Sequence, residues 1–333
     1  MNLQIIAGPS GAGKSTYIYN RIVEQAIANP DKHYLILVPL QYSMQTQRIL
    51  VFAHPRRSIM NIDVLSFERL AYRVFDELGT NKTHCLDETG KVLLLRRAAS
   101  LISDDLGILK RNIGRRGYID QVKSLISELM QYGYSPDDLD RMASSPTATK
   151  AFREKAEDIE KLYREFLKLF DQSMFTEEQV LSLLCEVCDR SELLKDSVIV
   201  LDGYTGFTPV QKELLGRLSS VVDTVYACIC ADPDTDLYSS GSEDELFYMS
   251  REESCFLSSL AGDGFMDPVI IGRGHGRFSG HDDMAFVEEH IFRDDGARLL
   301  VRAEDAPVSL YSLGNVNQEL MYTAQRIDRK SVV

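Results

Sequence analysis

Apolar positions change period several times along the chain, and those changes divide it into regions. Leu3 to Ala7 is an unbroken apolar run of strand length, and after Ser15 the residues Tyr17, Ile18, Ile22 and Val23 recur at helical spacing. His33 to Pro39 reads as a second strand, Gln41 to Phe52 as a helix and Ile62 to Leu65 as a third strand. Ser66 to Leu78 reads as a helix with Ser66 as its N-cap. Strands alternating with helices predict an α/β fold, a parallel sheet covered on both faces.

Strand character then disappears. Glu88 to Ile102, Ile119 to Tyr132, Ala148 to Phe170 and Glu177 to Cys188 all carry helical periodicity. They predict an all-helical insertion that begins near the turn residues Gly79-Thr80-Asn81. Strands return at Ser197 to Asp202 and Thr224 to Ala231, with a helix from Thr208 to Leu218 between them. Residues 234–245 predict an exposed acidic loop, Leu246 to Leu260 a helix, and Gly272 to Gly280 a flexible loop with basic residues. Pro307 to Leu313 reads as a strand, and Asn315 opens a helix. A strand beginning so late has no sheet to join unless more protein follows, so the chain reads as truncated. Asp328 to Val333 reads as a non-native tail. The expected organisation is a sheet domain over 1–82 resumed over 193–304, a helical insertion over 83–192, the start of a second domain over 305–327, and a tail over 328–333.

Composition narrows the classes. The chain has 333 residues with 44% apolar, enough for a sizeable core, and no apolar run approaches bilayer length. Its first residues form a strand rather than a basic leader, so a cytoplasmic location without membrane contact is expected. Fifty acidic and 37 basic residues give a net charge of −13, so any DNA contact needs a local basic patch or a partner subunit. The six cysteines do not form a disulfide framework pattern. Cys185 and Cys188 lie in a helical stretch, and Cys228 and Cys230 share a strand face; all four read as core thiols.

The strongest chemistry lies between the first strand and the first helix. Gly8-Pro9-Ser10-Gly11-Ala12-Gly13-Lys14-Ser15-Thr16 matches the phosphate-binding P-loop, G-x-x-x-x-G-K-[ST], in the strand–loop–helix context that it needs. Amides from Gly11 to Lys14 can point into one concavity at the positive end of a helix. Lys14 would reach the β- and γ-phosphates of ATP, and the Ser15 hydroxyl would ligate Mg²⁺. The expected nucleotide-binding residues are Gly8, Ser10, Gly11, Ala12, Gly13, Lys14, Ser15 and Thr16. A metal-side carboxylate is expected from Asp202, at the carboxyl end of the apolar strand Val198 to Leu201, where open parallel sheets gather ligands. The next residue is Gly203, so no side chain there orients an attacking water, and hydrolysis is expected to be poor or absent. Glu213 and Asp223 are the carboxylates left to substitute.

Taken in order, these pieces resemble the B-type component of the bacterial AddAB helicase–exonuclease, an AddB-type relative of the UvrD-like P-loop helicases. The resemblance rests on the P-loop; on Leu37-Val38-Pro39 followed by Gln41 and Gln45; on Val64-Leu65-Ser66-Phe67 followed by Arg69-Leu70-Ala71; on Leu201-Asp202-Gly203-Tyr204 followed by Phe207-Thr208; and on Asn315 followed by Glu319-Leu320 and Ala324. It covers nearly the whole chain. Leu40 departs from it, standing where the family commonly has Glu. The resemblance implies a RecA-like motor domain, a truncated second motor domain from 305, and a degenerate motor paired with an A-type helicase/nuclease subunit. Together such subunits unwind and degrade DNA at double-strand breaks and respond to a recombination hotspot. It places the nuclease domain and a 4Fe-4S cluster far C-terminal, beyond Val333, so Cys185 and Cys188 are not cluster ligands.

Candidate DNA contacts are the amides and hydroxyls of Gln41 to Gln47, and the basic pairs Arg56-Arg57, Arg96-Arg97, Lys110-Arg111 and Arg115-Arg116. Two other readings compete. A P-loop kinase of a small metabolite uses a similar loop, but the long helical insertion and the lack of an arginine-rich lid count against it. A scaffold with a vestigial nucleotide site is the other.

Overall fold

Asn2–Gly8 (β1) is the first strand of a parallel sheet, and its apolar run is buried on both faces. The structure is a computed structural model, and it describes residues 1–79, 84–169, 174–239, 241–273, 276–293, 296 and 311–331. After β1 come Lys14–Ala28 (α1), Tyr34–Leu37 (β2), Ser43–Ala53 (α2), Ile62–Leu65 (β3) and Phe67–Leu78 (α3). Each crossover helix returns the chain to the same edge, which keeps the strands parallel. Ser66 caps α3 as expected, its Oγ accepting the Arg69 amide at 3.3 Å.

The helical segment departs from the sheet between two short strands, His84–Leu86 (β4) and Met174–Thr176 (β5), which pair in parallel with each other. Between them run Glu88–Leu101 (α4), Arg116–Gln131 (α5), Pro136–Ala143 (α6) and Lys150–Lys168 (α7). Leu95, Ile119, Ile126, Ile159, Leu162 and Phe166 knit α4, α5 and α7 into a core of their own. α6 carries too few turns to show a period. Its start is set instead by Pro136 in the first turn and by a reciprocal capping box between Ser135 and Asp138.

Val180–Val187 (α8) packs elsewhere than its sequence neighbours. Its residues Val180, Leu181 and Leu184 join the core beneath the sheet, between α3 and Pro209–Leu218 (α9). Val198–Leu201 (β6), Thr224–Cys230 (β7), Tyr248–Ala261 (α10), Phe265–Ile270 (β8), Asp282–His290 (α11) and Val316–Ser331 (α12) complete the described elements. The six-stranded order is β3-β2-β6-β7-β1-β8, all parallel. Alternate residues feed opposite layers: Ile5, Leu35 and Ile199 face α3, α8 and α9, whereas Ile6, Ile36 and Val200 face α1 and α2.

β8 has no counterpart among the strands expected from the sequence. Pro268 interrupts its pattern, but among the described strands β8 pairs only with β1, and the register slips between Gln4 and Ile6 opposite that proline. An edge strand with an irregularity is where a residue without an N–H is tolerated. The strand expected over Pro307 to Leu313 lies largely outside the described residues. No helix among the described residues is long and apolar enough to cross a membrane.

Candidate nucleotide site

The turn from β1 into α1 lies at the carboxyl edge of the sheet. Gly11 and Gly13 have φ of 75° and 104°, in the left-handed region that a side chain resists. Gly13 is the N-cap of α1 and provides no side-chain acceptor. The amides of Gly11, Gly13, Lys14 and Ser15 therefore have no acceptor among the described residues, while the Ala12 amide donates to the Pro9 carbonyl at 3.3 Å. Clustered donors at the start of a 15-residue helix form a site of positive potential suited to a phosphate. Ala12 is buried against the loop, Gly8 is buried at the strand end, and Ser10 and Thr16 are exposed. The Lys14 ammonium turns back to the carbonyl oxygens of Gly8 (2.9 Å) and Pro9 (2.8 Å), across the base of the loop.

β6 brings Asp202 to the same edge, with β7 between it and β1. The Asp202 amide donates to Leu37 O at 3.0 Å, and the residue is only 8% exposed. Asp202 Oδ2 accepts the hydroxyl of Tyr19 at 2.6 Å, from the second turn of α1. The Tyr19 oxygen also lies 3.4 Å from Thr46 Oγ1 on α2. Burial, then the Asp202 charge, push the Tyr19 phenol far above its ordinary range, so it stays a proton donor. Cys228, beside this pair, is raised by burial and then by Asp202 in the same way. No hydrogen bond joins Ser15 to Asp202 among the described residues.

Gly203 has φ of 81°, and a Cβ built on it would lie 3.4 Å from Pro39 Cδ and from Tyr42 Cδ2. Neither substitute carboxylate stands at the loop. Asp223 is at the amino end of β7, where its backbone carbonyl accepts from Asn2 at 2.8 Å and its carboxylate pairs with Lys32. Glu213 is on α9, 4.0 Å from Arg217 and near the Cys185 thiol, in the layer opposite α1.

The segment after β8 covers the turn from β1 into α1. The Arg277 amide donates to Gly11 O at 2.8 Å, and the Phe278 ring packs on Gly11. Arg273 pairs with Asp232 (3.0 Å) and Asp234 (2.8 Å), and Arg293 pairs with Asp232 at 2.9 Å. Between this segment and the loop lies a cavity of about 360 Å³ lined by Ser10, Gly11, Arg273, Phe278 and Glu288. The described part of Gly272 to Gly280 is thus docked on the loop.

A second cavity, about 650 Å³, lies at the carboxyl ends of β2, β3 and β6, lined by Leu40, Phe67, Arg69, Tyr72, Tyr204 and Gln211. Phe67 and Tyr204 rings stand 5.2 Å apart at its floor. The basic pairs do not gather there. Arg56 and Arg57 sit beyond α2, where Arg57 stacks over Phe52 at 5.0 Å; Arg96 and Arg97 are exposed on α4; and Lys110 pairs with Asp104 at 3.0 Å. Cys185, raised to about 12 by burial, and Cys188 pack in the core beneath α3 and α9.

The sequence did not single out Tyr19 or the packing of Arg277 and Phe278 on the loop; Thr46 fell within the Gln41 to Gln47 stretch expected to contact DNA, and Arg69 within a motif of the resemblance. Tyr19 left one trace, a polar-tipped residue between Ile18 and Ile22 on the buried stripe of α1.

Residues 5–288 match the family described as "ADDB, N-terminal". Among curated proteins, the chain is 36% identical over 300 residues to the B-type component of the ATP-dependent helicase/deoxyribonuclease of Lachnoclostridium phytofermentans, an alignment covering 88% of this chain and 26% of that protein. It is 30% identical over 341 residues to the protein of the same name from Desulforamulus reducens (99% and 29% covered), and 28% identical over 337 residues to that from Thermoanaerobacter sp. X514 (99% and 28% covered). The chain thus spans between a quarter and a third of the length of these relatives. The ordered motifs, the parallel sheet and this match agree: the chain belongs to the AddB N-terminal family.

Proposed function

We propose that this chain is the ATP-binding, helicase-like N-terminal part of the B-type component of an ATP-dependent DNA helicase/exonuclease acting in double-strand break repair by recombination. The observation that carries the nucleotide half is the set of acceptor-less amides at Gly11, Gly13, Lys14 and Ser15. Lys14 would exchange the carbonyls of Gly8 and Pro9 for the β- and γ-phosphates of ATP. Ser15 and Asp202 would hold Mg²⁺, with the remaining ligands from phosphate and water. Bound Mg–ATP brings a phosphate charge, and the loop neutralises and orients it. The left-handed Gly203 offers no group to direct water, so this reading includes negligible turnover.

In this reading the sheet is a RecA-like motor domain interrupted by the helices of residues 88–169, and residues 305–327 begin a second motor domain. The cavity bordered by Tyr72 takes single-stranded DNA: the exposed Tyr72 ring offers a stacking surface above the buried Phe67, and Arg69 offers a phosphate contact. The partner is an A-type helicase/nuclease subunit in the cytoplasm, and the nuclease and 4Fe-4S chemistry belong to the C-terminal part of the whole protein. A scaffold with a vestigial nucleotide site is the second reading. It is favoured by Lys14 and Asp202 each having protein partners of their own.

Calorimetric titration with Mg–ATP tests the nucleotide half. Lys14→Ala is expected to weaken binding by at least about tenfold, or about 1.4 kcal/mol. Equal affinity in the two proteins would overturn it.

A further inference from the structure

The carboxylate on the metal side of the proposed nucleotide site already has a protein donor. Asp202 is buried at the end of β6, and its Oδ2 accepts the Tyr19 hydroxyl at 2.6 Å, the short distance that an ionised acceptor favours. Tyr19 packs in one cluster with Ile18, Ile22, Val38 and Leu50, so its ring is fixed and its hydroxyl is the part that can turn. The other acceptor in reach is Thr46 Oγ1, also buried and 3.4 Å away. The amides of Gly11, Gly13, Lys14 and Ser15 have no bond to this phenol, so the phosphate half of the site does not depend on it.

We propose that Tyr19 is a positioning residue that occupies Asp202, so that this carboxylate holds a divalent cation only weakly and a nucleoside triphosphate gains little affinity from the metal. This rests on the nucleotide-binding reading above. For Oδ2 to face a cation, the phenol must give up its bond and turn its proton to Thr46, across a separation longer than an ordinary O–H···O bond. A proton left aimed at Oδ2 would point at the cation instead. Either way a short bond to a buried charge is lost, and that loss opposes the attraction between cation and carboxylate. A phenylalanine ring in the same place would leave the carboxylate open.

The test reads affinity of the whole chain, not turnover. A non-hydrolysable ATP analogue is titrated calorimetrically in EDTA and in saturating MgCl₂. In wild type, Mg²⁺ is expected to strengthen binding by less than about threefold, below the range of ordinary coupling between two ligands. In Tyr19→Phe, which keeps the ring and removes the donor, it is expected to strengthen binding by at least about tenfold. Tyr19→Leu, a second replacement without a donor, is expected to show the same gain, and damage to the fold does not produce a gain. Adding Asp202→Asn to Tyr19→Phe should remove it, which ties the effect to this carboxylate. Equal metal dependence in wild type and the folded Tyr19 variants overturns the proposal, as does a gain that survives Asp202→Asn; in both cases the nucleotide-binding reading stands. Analogue binding that is absent in wild type, or indifferent to Lys14→Ala in EDTA, overturns that reading and this inference with it.

Discussion

Gly203 packs its bare backbone against Tyr42, with room of 3.4 Å between the ring and a Cβ built at that position. The constraint is conformational more than steric: φ of 81° is costly for any residue with a side chain. The missing carboxylate after Asp202 is therefore part of the backbone path from β6 toward Tyr204. Gly203→Glu is expected to lower unfolding stability by about 1–2 kcal/mol and to add no ATPase activity. Denaturant midpoints and phosphate release would check the two halves; turnover gained by this variant would count against the account.

Lys91, 2% exposed at the start of α4, joins the helical segment to the sheet domain through Glu178 at 2.7 Å. Removing the ammonium leaves Glu178 without its charge partner, and Lys91→Ala is expected to cost about 3–5 kcal/mol. Burial is the largest single effect and disfavours both charges, but the partners together outweigh it: Glu178 and Glu88 for Lys91, and Lys91, a backbone amide and Ser127 for Glu178. Glu178 therefore lies below its ordinary value near 4.5 and Lys91 above its ordinary value near 10.5. The Glu178 contribution is present above pH 4.5 and is lost as pH falls through the lowered folded value. The Lys91 contribution is present below pH 10.5 and is lost as pH rises through the raised folded value. A melting series against pH should show both limbs, and Glu178→Gln should flatten the acid one.

Asp158 on α7 accepts the Gly107 amide at 2.8 Å and the Leu109 amide at 2.9 Å. It supplies acceptors that the turn after α4 does not make for itself. Asp158→Ala orphans those amides and is expected to cost about 2–3 kcal/mol. Hydrogen exchange should quicken first at residues 107–109, and unchanged protection there would refute this role.

Arg69 and Tyr72 border the cavity proposed for DNA. Arg69→Ala is expected to reduce the slope of log affinity against log salt by about one for oligo(dT). Tyr72→Ala is expected to cost about 1–3 kcal/mol, the range for a stacking base. Substituting Arg96 and Arg97, exposed on α4, should leave affinity nearly unchanged. The reverse ranking would move the DNA path to the helical segment.

Much of the fold was legible because a parallel sheet writes itself as apolar runs, and Leu3 to Ala7, Ile62 to Leu65 and Val198 to Leu201 all lie in strands. The glycine-rich turn into α1 was legible because Gly8, Gly11, Gly13 and Lys14 fall within seven residues of one another. β8 was hidden by Pro268, and α6 by its shortness. α8 reads as one more helix of a helical run, since periodicity shows that a face is buried and not which neighbour buries it. The Tyr19–Asp202 contact joins residues 183 positions apart, and no local pattern announces such a pair.

This chain is expected to hold Mg–ATP at the loop without turning it over. The most direct measurement is phosphate release from saturating Mg–ATP, with occupancy of the loop verified by titration, in wild type and Lys14→Ala. The account predicts an occupied site and release at the buffer rate in both proteins. Sustained release by wild type that Lys14→Ala abolishes would contradict it.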